Sequence, residues 1–197
     1  MATVSVDLFE EICTEDRDVN PQTLEQVVLL AVELAREGRE GRKIGTIFMV
    51  GDADAVINRS RPMILDPLAG HPGEAKHLTD ANARETLKEL AQLDGAFVIS
   101  DDGVAVSAAR YLDAPTAGME MPLGLGSRHM AAAAMTKVTD AVGVVVSQSA
   151  VVRIFDEGDL IAEILPELWM ISQYSSHIDA PVFRRSDDQV TVLSKVE

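Results

Sequence analysis

The stretch GLGSRHMAAAAMTKVTDAVGVVVSQS, residues 124–149, sets a helix and a strand back to back. From Ser127 to Asp140, alanine and methionine occur at a density that favours helix, with Ser127 available as N-cap. Val142 to Ser147 follows as a continuous apolar run rich in β-branched residues, the pattern of a buried strand. The alternation repeats upstream. Thr79 or Asp80 caps a helix with Ala83, Leu87, Leu90 and Ala91 on its apolar side, and the chain then passes through Leu93-Asp94-Gly95-Ala96 into a strand at Phe97 to Ser100. Asp101-Asp102-Gly103 is a short glycine-containing connection to a second strand, Val104 to Ala108, which makes a hairpin. Earlier still, Asn20-Pro21 pairs an N-cap with proline at the first helical position, and Leu24, Val27, Val28, Ala31, Val32, Leu34 and Ala35 recur at helical spacing up to Gly38. Ile44 to Val50, closed by Gly51-Asp52, is another buried strand.

Downstream, Val151 to Phe155 and Leu160 to Ile164 bracket Asp156-Glu157-Gly158-Asp159 as a further hairpin. Residues 53–78 and 113–126 are rich in proline and glycine and read mostly as loop, and the tail from Trp169 shows no clear period. Helices alternating with strands and interrupted by hairpins predict an α/β fold: one domain, a mixed twisted β-sheet flanked by helices. The expected boundaries are an N-terminal extension at 1–20, the domain at 21–180 and a C-terminal tail at 181–197.

The 197 residues suffice for one well-buried core. An apolar share of 47% and a mean hydropathy of +0.09 belong to a globular chain. No apolar run reaches bilayer length and no basic-then-apolar leader opens the chain, so the expectation is a cytoplasmic protein without a membrane anchor. Cys13 is the one cysteine, which excludes an intrachain disulfide, and nothing near it resembles an activating base. The net charge of -15, with 32 acidic against 17 basic residues, lacks the basic footprint that a general nucleic-acid surface requires. An acidic protein that binds phosphates must gather its few cations locally.

Gly124-Leu125-Gly126-Ser127-Arg128-His129 is where such a gathering occurs. A helix start offers unpaired backbone N–H groups and the positive end of the helix dipole. Gly124 and Gly126 let a ligand approach the backbone, Ser127 adds a hydroxyl, Arg128 adds a forked cation, and His129 can bond a phosphate or ligate a metal. The same residues also make an ordinary capped helix start with two solvated polar groups. Asp94-Gly95 is equally open: an acid in a tight turn before a strand is a common structural device, and beside a phosphate site the carboxylate could position a hydroxyl or bind Mg²⁺ or Mn²⁺. Ser147, followed by Gln148 and Ser149, places polar side chains at another strand end. His71, His77 and His177 lack metal-ligand spacing, and the common NTPase, hydrolase and zinc-protease motifs are absent.

Asp94-Gly95-Ala96, then Gly126-Ser127-Arg128-His129 at a helix start, then Val146-Ser147-Gln148-Ser149 after a strand, together resemble the diadenylate cyclase (DAC) domain family. The run from Leu34 to Arg42, with Ile44-Gly45-Thr46-Ile47 and Val50-Gly51-Asp52, is similar to the opening of such domains, so the resemblance spans about residues 22–165. It implies a DAC-like fold that binds ATP and, when two domains face each other in a homo-oligomer, condenses two ATP into cyclic di-AMP with release of two pyrophosphates. By that resemblance Asp94, with Gly95, orients the 3′-hydroxyl. Gly126, Ser127, Arg128 and His129 hold phosphates, Ala96, Leu112 and Ser147 complete the ATP contacts, and a divalent metal, Mg²⁺ or Mn²⁺, sits at Asp94 and His129. Two departures stand out: Ser127 replaces the family's usual threonine, and Met130 stands where a second arginine is common. The alternative is a sensor that binds ATP or a cyclic dinucleotide without catalysis.

Overall fold

Asn20 accepts a hydrogen bond from Thr23 N at 3.1 Å and thereby caps α1, Pro21–Glu37, which ends at Gly38 in the left-handed region. The structure is a computed structural model that describes Phe9, residues 11–119 and 121–166, and the backbone of residues 182–186 and 191–195. After α1 come β1 (Thr46–Val50), α2 (Ala53–Asn58), β2 (Ser60–Pro62), a 3-10 turn at Gly73–Lys76, α3 (Ala81–Leu90), β3 (Ala96–Ile99), β4 (Ala105–Leu112), α4 (Ser127–Thr136), β5 (Val142–Val146), β6 (Val152–Asp156) and β7 (Asp159–Ile164). The chain divides into two units, Met1–Pro166 and Glu167–Glu197. In the second unit β8 (Val182–Ser186) and β9 (Thr191–Lys195) form an antiparallel pair. The expected domain end at residue 180 lies outside the described residues.

The first unit is a seven-stranded mixed sheet in the order β2-β4-β3-β1-β5-β6-β7, in which β1 and β3 run parallel and the other pairings are antiparallel. β1, β3 and β5 are buried along their whole length, as their unbroken apolar runs require. Side chains alternate across the sheet. Ile47 and Met49 of β1 join Ala96, Val98, Val145 and Phe155 beneath Ala132, Ala133 and Met135 of α4. Phe48 turns to the other face, where it stacks on Phe97 at 5.0 Å, and α1 covers that face with a stripe including Leu24, Val27, Leu30 and Leu34. Gly143 lets α4 close in: a Cβ there would stand 3.2 Å from Ala132 Cβ.

Four local readings are corrected. α2 occupies part of the expected loop, a six-residue helix anchored by the buried Val56 and too short to show a period in sequence. α4 stops at Thr136 rather than Asp140, because Val138 and Thr139 are β-branched and the chain turns there, with Thr139 Oγ1 donating to Met135 O. The α4 cap is Gly126, not Ser127, which is the first helical residue. β4 runs on to Leu112 through register shifts against β3, with Ala109 at φ 53. That bulge sits against Gly95, where φ is +104 and a Cβ would lie 2.7 Å from the Ala109 carbonyl carbon.

Residues 11–20, expected as an extension, pack on the domain. Arg17 pairs with Asp156, and Val19 is buried against Gly51. Asp101 accepts from Asn20 N at 3.1 Å.

Candidate active site

Register places the site at one end of the sheet. Thr46 pairs with Val146, Ile47 with Ala96, and Ala96 with Arg110, so the starts of β1 and β3 and the ends of β4 and β5 lie side by side. Asp94 therefore sits at the amino end of the parallel pair. The first turn of α4 joins the same end, and two adjoining hollows result. One, of about 200 Å³, is lined by Gly45, Gly124, Gly126, Ser127, Arg128, His129, Val146, Ser147 and Gln148. The other, of about 360 Å³, is walled by Ile47, Met63, Tyr111, Leu112 and Ala131 on its apolar side and by Asp94, Arg110, Asp113 and Arg128 on its charged side. Ser127 and Arg128 line both.

Asp94 Oδ1 accepts from Arg128 Nη2 at 2.9 Å and from Gly95 N at 3.0 Å. No described residue bonds Oδ2, and the side chain is 67% exposed. The Arg128 guanidinium passes over Gly45, where a Cβ would meet Gln148 Cγ at 3.1 Å and Arg128 Nη1 at 3.4 Å. Arg128 is the one arginine or lysine lining the smaller hollow, and it stands at the start of α4, where the helix dipole is positive. Ser147 Oγ lies 2.7 Å from Ser149 Oγ and accepts from Ser149 N at 3.1 Å, a local hydroxyl turn at the rim.

His129 is buried and has a contact at each ring nitrogen. Nδ1 accepts from Gly126 N at 3.2 Å, Nε2 lies 3.3 Å from Arg153 Nη1, and the Phe155 ring meets the imidazole edge-on at 6.1 Å. Both nitrogens face groups that can only donate, so an imidazolium would set N–H against N–H at both edges. Burial first, then the Arg153 and Arg128 charges, push its pKa below the ordinary histidine value.

The sequence candidates are thus only partly gathered. Asp94, Gly95, Leu112, Gly126, Ser127, Arg128, His129 and Ser147 all line one of the two hollows. Ala96 is fully buried in the core and lines neither. Asp94 and His129 line different hollows, and no group of three or more His, Cys, Asp or Glu among the described residues is arranged for a metal. The open Asp94 oxygen suits a hard cation that also takes ligand oxygens. His129, with both nitrogens engaged and a guanidinium at Nε2, does not, and the expected metal role of His129 is withdrawn on that ground.

Sequence reading did not single out Gly45 and Gln148 as lining residues, nor Arg110 and Arg153. Arg110 is held by Ser60 Oγ at 3.0 Å, Ser60 O at 2.8 Å and Ile57 O at 3.0 Å, which fasten the end of β4 to β2 and α2. The signal for it was an arginine inside an apolar strand; the bulge that aims it has no motif. Arg61 stacks on the Tyr111 ring at 4.5 Å across β2 and β4.

Fold and site together define an α/β domain with a glycine-lined, cationic helix start beside a larger, partly apolar hollow, the class of a nucleotide-binding domain. The family model DAC, DisA bacterial checkpoint controller nucleotide-binding, matches residues 33–160, and the chain belongs to that family. It is 44% identical over 163 residues to a diadenylate cyclase of Methanocaldococcus jannaschii, which covers 82% of this chain and 51% of that protein. It is 43% identical over 153 residues to a diadenylate cyclase of Haloferax volcanii, covering 76% of this chain and 55% of that protein. The chain spans about half the length of these curated relatives. In fold it is similar to the crystal structure of a hypothetical membrane spanning protein from Bacillus cereus, with a TM-score of 0.53 at 21% identity over 71% of this chain and 62% of the other. No helix among the described residues is long and apolar enough to cross a membrane.

Proposed function

We propose that this chain is the cyclase domain of a diadenylate cyclase, a nucleotidyltransferase that joins two ATP into cyclic di-AMP and releases two pyrophosphates. One observation carries the reading: Asp94 and Arg128, an acid fit to handle a hydroxyl and a cation fit to hold a phosphate, meet at 2.9 Å where the two hollows join. The larger hollow, with Met63, Tyr111 and Leu112, suits adenine and ribose, and the smaller suits the phosphates. Likeness to two proteins named diadenylate cyclases supports the same reading.

In the proposed reaction, two copies face each other, each holding one ATP. The 3′-oxygen of one ATP attacks the α-phosphorus of the other. A phosphorus–oxygen bond forms, the bond from the α-phosphorus to the pyrophosphate oxygen breaks, and the hydroxyl proton passes to Asp94 or solvent; the second transfer repeats this with the roles exchanged. Phosphoryl transfer depends mainly on in-line placement and charge neutralisation. Arg128, the Ser127 hydroxyl and the amides of the α4 start oppose the phosphate charge, while Asp94, drawn off Arg128 as phosphate takes the guanidinium, turns to the hydroxyl. Mg²⁺ or Mn²⁺ held by Asp94 and phosphate oxygens would neutralise further charge when bound. ATP as substrate fits work in the cytoplasm. Incubating the purified chain with ATP and either metal, then weighing the products by mass spectrometry, tests the proposal. Cyclic di-AMP is expected; ATP retained unchanged would favour a sensor instead.

A further inference from the structure

The smaller hollow is bare at Gly45. Thr46 pairs with Val146 at the end of the β1–β5 register, so Gly45, just before β1, and Ser147 and Gln148, just after β5, stand together where the ladder stops. A Cβ built on Gly45 would lie 3.1 Å from Gln148 Cγ and 3.4 Å from Arg128 Nη1, so the glutamine stem and the guanidinium approach each other over the glycine. The Arg128 fork is divided between two places. Its Nη2 donates to Asp94 Oδ1 at 2.9 Å where the hollows join, and its Nη1 reaches toward Gly45. No Asp or Glu lines this hollow, although the chain carries 32 of them.

The turn that carries Gln148 is fixed by its own bonds. Ser147 N donates to Val151 O at 2.9 Å, Ala150 N donates to Ser147 O at 2.9 Å, and Ser147 Oγ accepts from Ser149 N at 3.1 Å. These bonds satisfy the residues on either side of Gln148 and hold its backbone at the hollow. The Gln148 amide itself bonds no described residue, so its two N–H donors are unspent at the edge of a space free of carboxylates.

We propose that Gln148 is a further substrate-contacting residue, whose amide N–H groups act with Arg128 Nη1 to seat the outer phosphates of ATP and the pyrophosphate that leaves. The inference deepens the nucleotide reading of the site and rests on it. That reading puts the α-phosphorus at the junction of the hollows, beside Asp94 and Arg128. A triphosphate running on from there enters the smaller hollow, where Gly45 leaves room and Gln148 and Arg128 Nη1 converge. An amide suits this place because it donates without carrying charge. A carboxylate would repel the phosphates, and a second cation would add an ion pair to the departing pyrophosphate.

The test uses the full chain as wild type, Q148M and Q148E, with Mg²⁺. Calorimetry reads the affinity for inorganic pyrophosphate, for AMP and for 3′-deoxy-ATP, which lacks the attacking hydroxyl and so stays intact. Q148M keeps an unbranched stem over Gly45 and loses the donors. It is expected to weaken pyrophosphate and 3′-deoxy-ATP by about 10-fold, the low end for a hydrogen bond to a charged group at an exposed residue. Q148E should weaken both further, and AMP affinity should stay at the wild-type value in each variant. Wild-type affinity for pyrophosphate and 3′-deoxy-ATP in Q148M overturns the proposal, because the stem alone would then account for the residue. Equal weakening of AMP overturns it too, since the change would act on the whole site and not on the outer phosphates. If the wild type binds pyrophosphate but neither nucleotide, and Q148M weakens that binding, the nucleotide reading fails and the anion seat at Gln148 stands. A wild type that binds none of the three defeats both.

Discussion

Arg128 Nη2 lies 2.9 Å from Asp94 Oδ1, so the acid ahead of β3 and the cation at the start of α4 neutralise each other. Exposed pairs of this kind contribute about 0–1 kcal/mol to stability, which leaves the contact free to be exchanged for a ligand's phosphate.

Asp94→Asn keeps the shape and removes the charge. Cyclic di-AMP formation is expected to fall by about 10²–10⁴-fold, the usual contribution of a positioned acid or base. ATP affinity should hold or improve, because Arg128 loses its competitor. Product yield by mass spectrometry and affinity by calorimetry check the two halves, and a matching loss of melting temperature would show Asp94 to be structural.

Arg128→Ala removes the arginine that lines both hollows. A hydrogen bond to a charged group is worth about 1.5–3 kcal/mol, so ATP should bind about 10–100-fold more weakly. Arg128→Lys should recover only part of this, since lysine presents a point charge and not a fork. Affinity equal to wild type in the alanine variant would remove Arg128 from the phosphate site.

Two glycines separate folding from binding. Gly95→Ala puts a Cβ 2.7 Å from the Ala109 backbone at a φ of +104, and stability should drop by about 1–3 kcal/mol, seen as a lower denaturant midpoint. Gly45→Ala meets only side chains, Gln148 Cγ at 3.1 Å and Arg128 Nη1 at 3.4 Å, which can shift. Its melting temperature should stay close to wild type while ATP affinity declines several-fold, on the order of 1 kcal/mol.

These contrasts mark what the sequence could and could not tell. The buried strands and α1 were legible because unbroken apolar runs and the Asn20-Pro21 start each have one physical reading. The α4 turn was legible only as a candidate anion site, because glycine, serine and arginine at a helix start serve an ordinary cap as readily as a phosphate. Arg153 and Arg110 were not legible: what defines them is a partner 24 residues away for the first and up to 53 for the second, brought in by strand register and by a bulge. α2 was hidden because a six-residue helix shows no period, and Ala96 was misplaced because its neighbours in sequence line a hollow that its own buried side chain does not reach.

His129 gives a pH signature. Burial and the charges of Arg153 and Arg128 lower its pKa in the folded protein, so folding favours the neutral ring. The resulting stability is fully present above the unfolded histidine value, near pH 6.5, and is lost as pH falls from there through the folded pKa. His129→Asn, whose amide oxygen can still accept from Gly126 N–H, should flatten that part of the profile when unfolding free energy is measured between about pH 7.5 and 5. An unchanged slope would mean the ring is not held neutral.

Lys88 should control both ends of the pH range. Its ammonium, largely buried between α1 and α3, pairs with Glu33 at 2.6 Å and Glu85 at 2.8 Å, and Glu33 also takes Arg84 at 2.9 Å. For Glu33, burial acts to raise the pKa, but Lys88 and Arg84 outweigh it and the carboxyl titrates below the ordinary range; Glu85 is lowered chiefly by its bond to Lys88. For Lys88 itself, burial acts to lower the pKa, and the two glutamates reverse that into a rise. The signs then fix two windows. The glutamate contributions are present above the unfolded carboxyl value, near pH 4.3, and disappear as pH falls below it. The lysine contribution is present below its unfolded value, near pH 10.4, and disappears as pH rises through the folded pKa. Lys88→Met leaves Glu33 partly buried with Arg84 alone, and should destabilise the domain by about 1–3 kcal/mol at neutral pH. The variant should also lose less stability than wild type at both extremes, so the two denaturation midpoints converge below about pH 4 and above about pH 11. Parallel curves across the whole range would show that the clamp between α1 and α3 rests on the aliphatic stem of Lys88 and not on its charge.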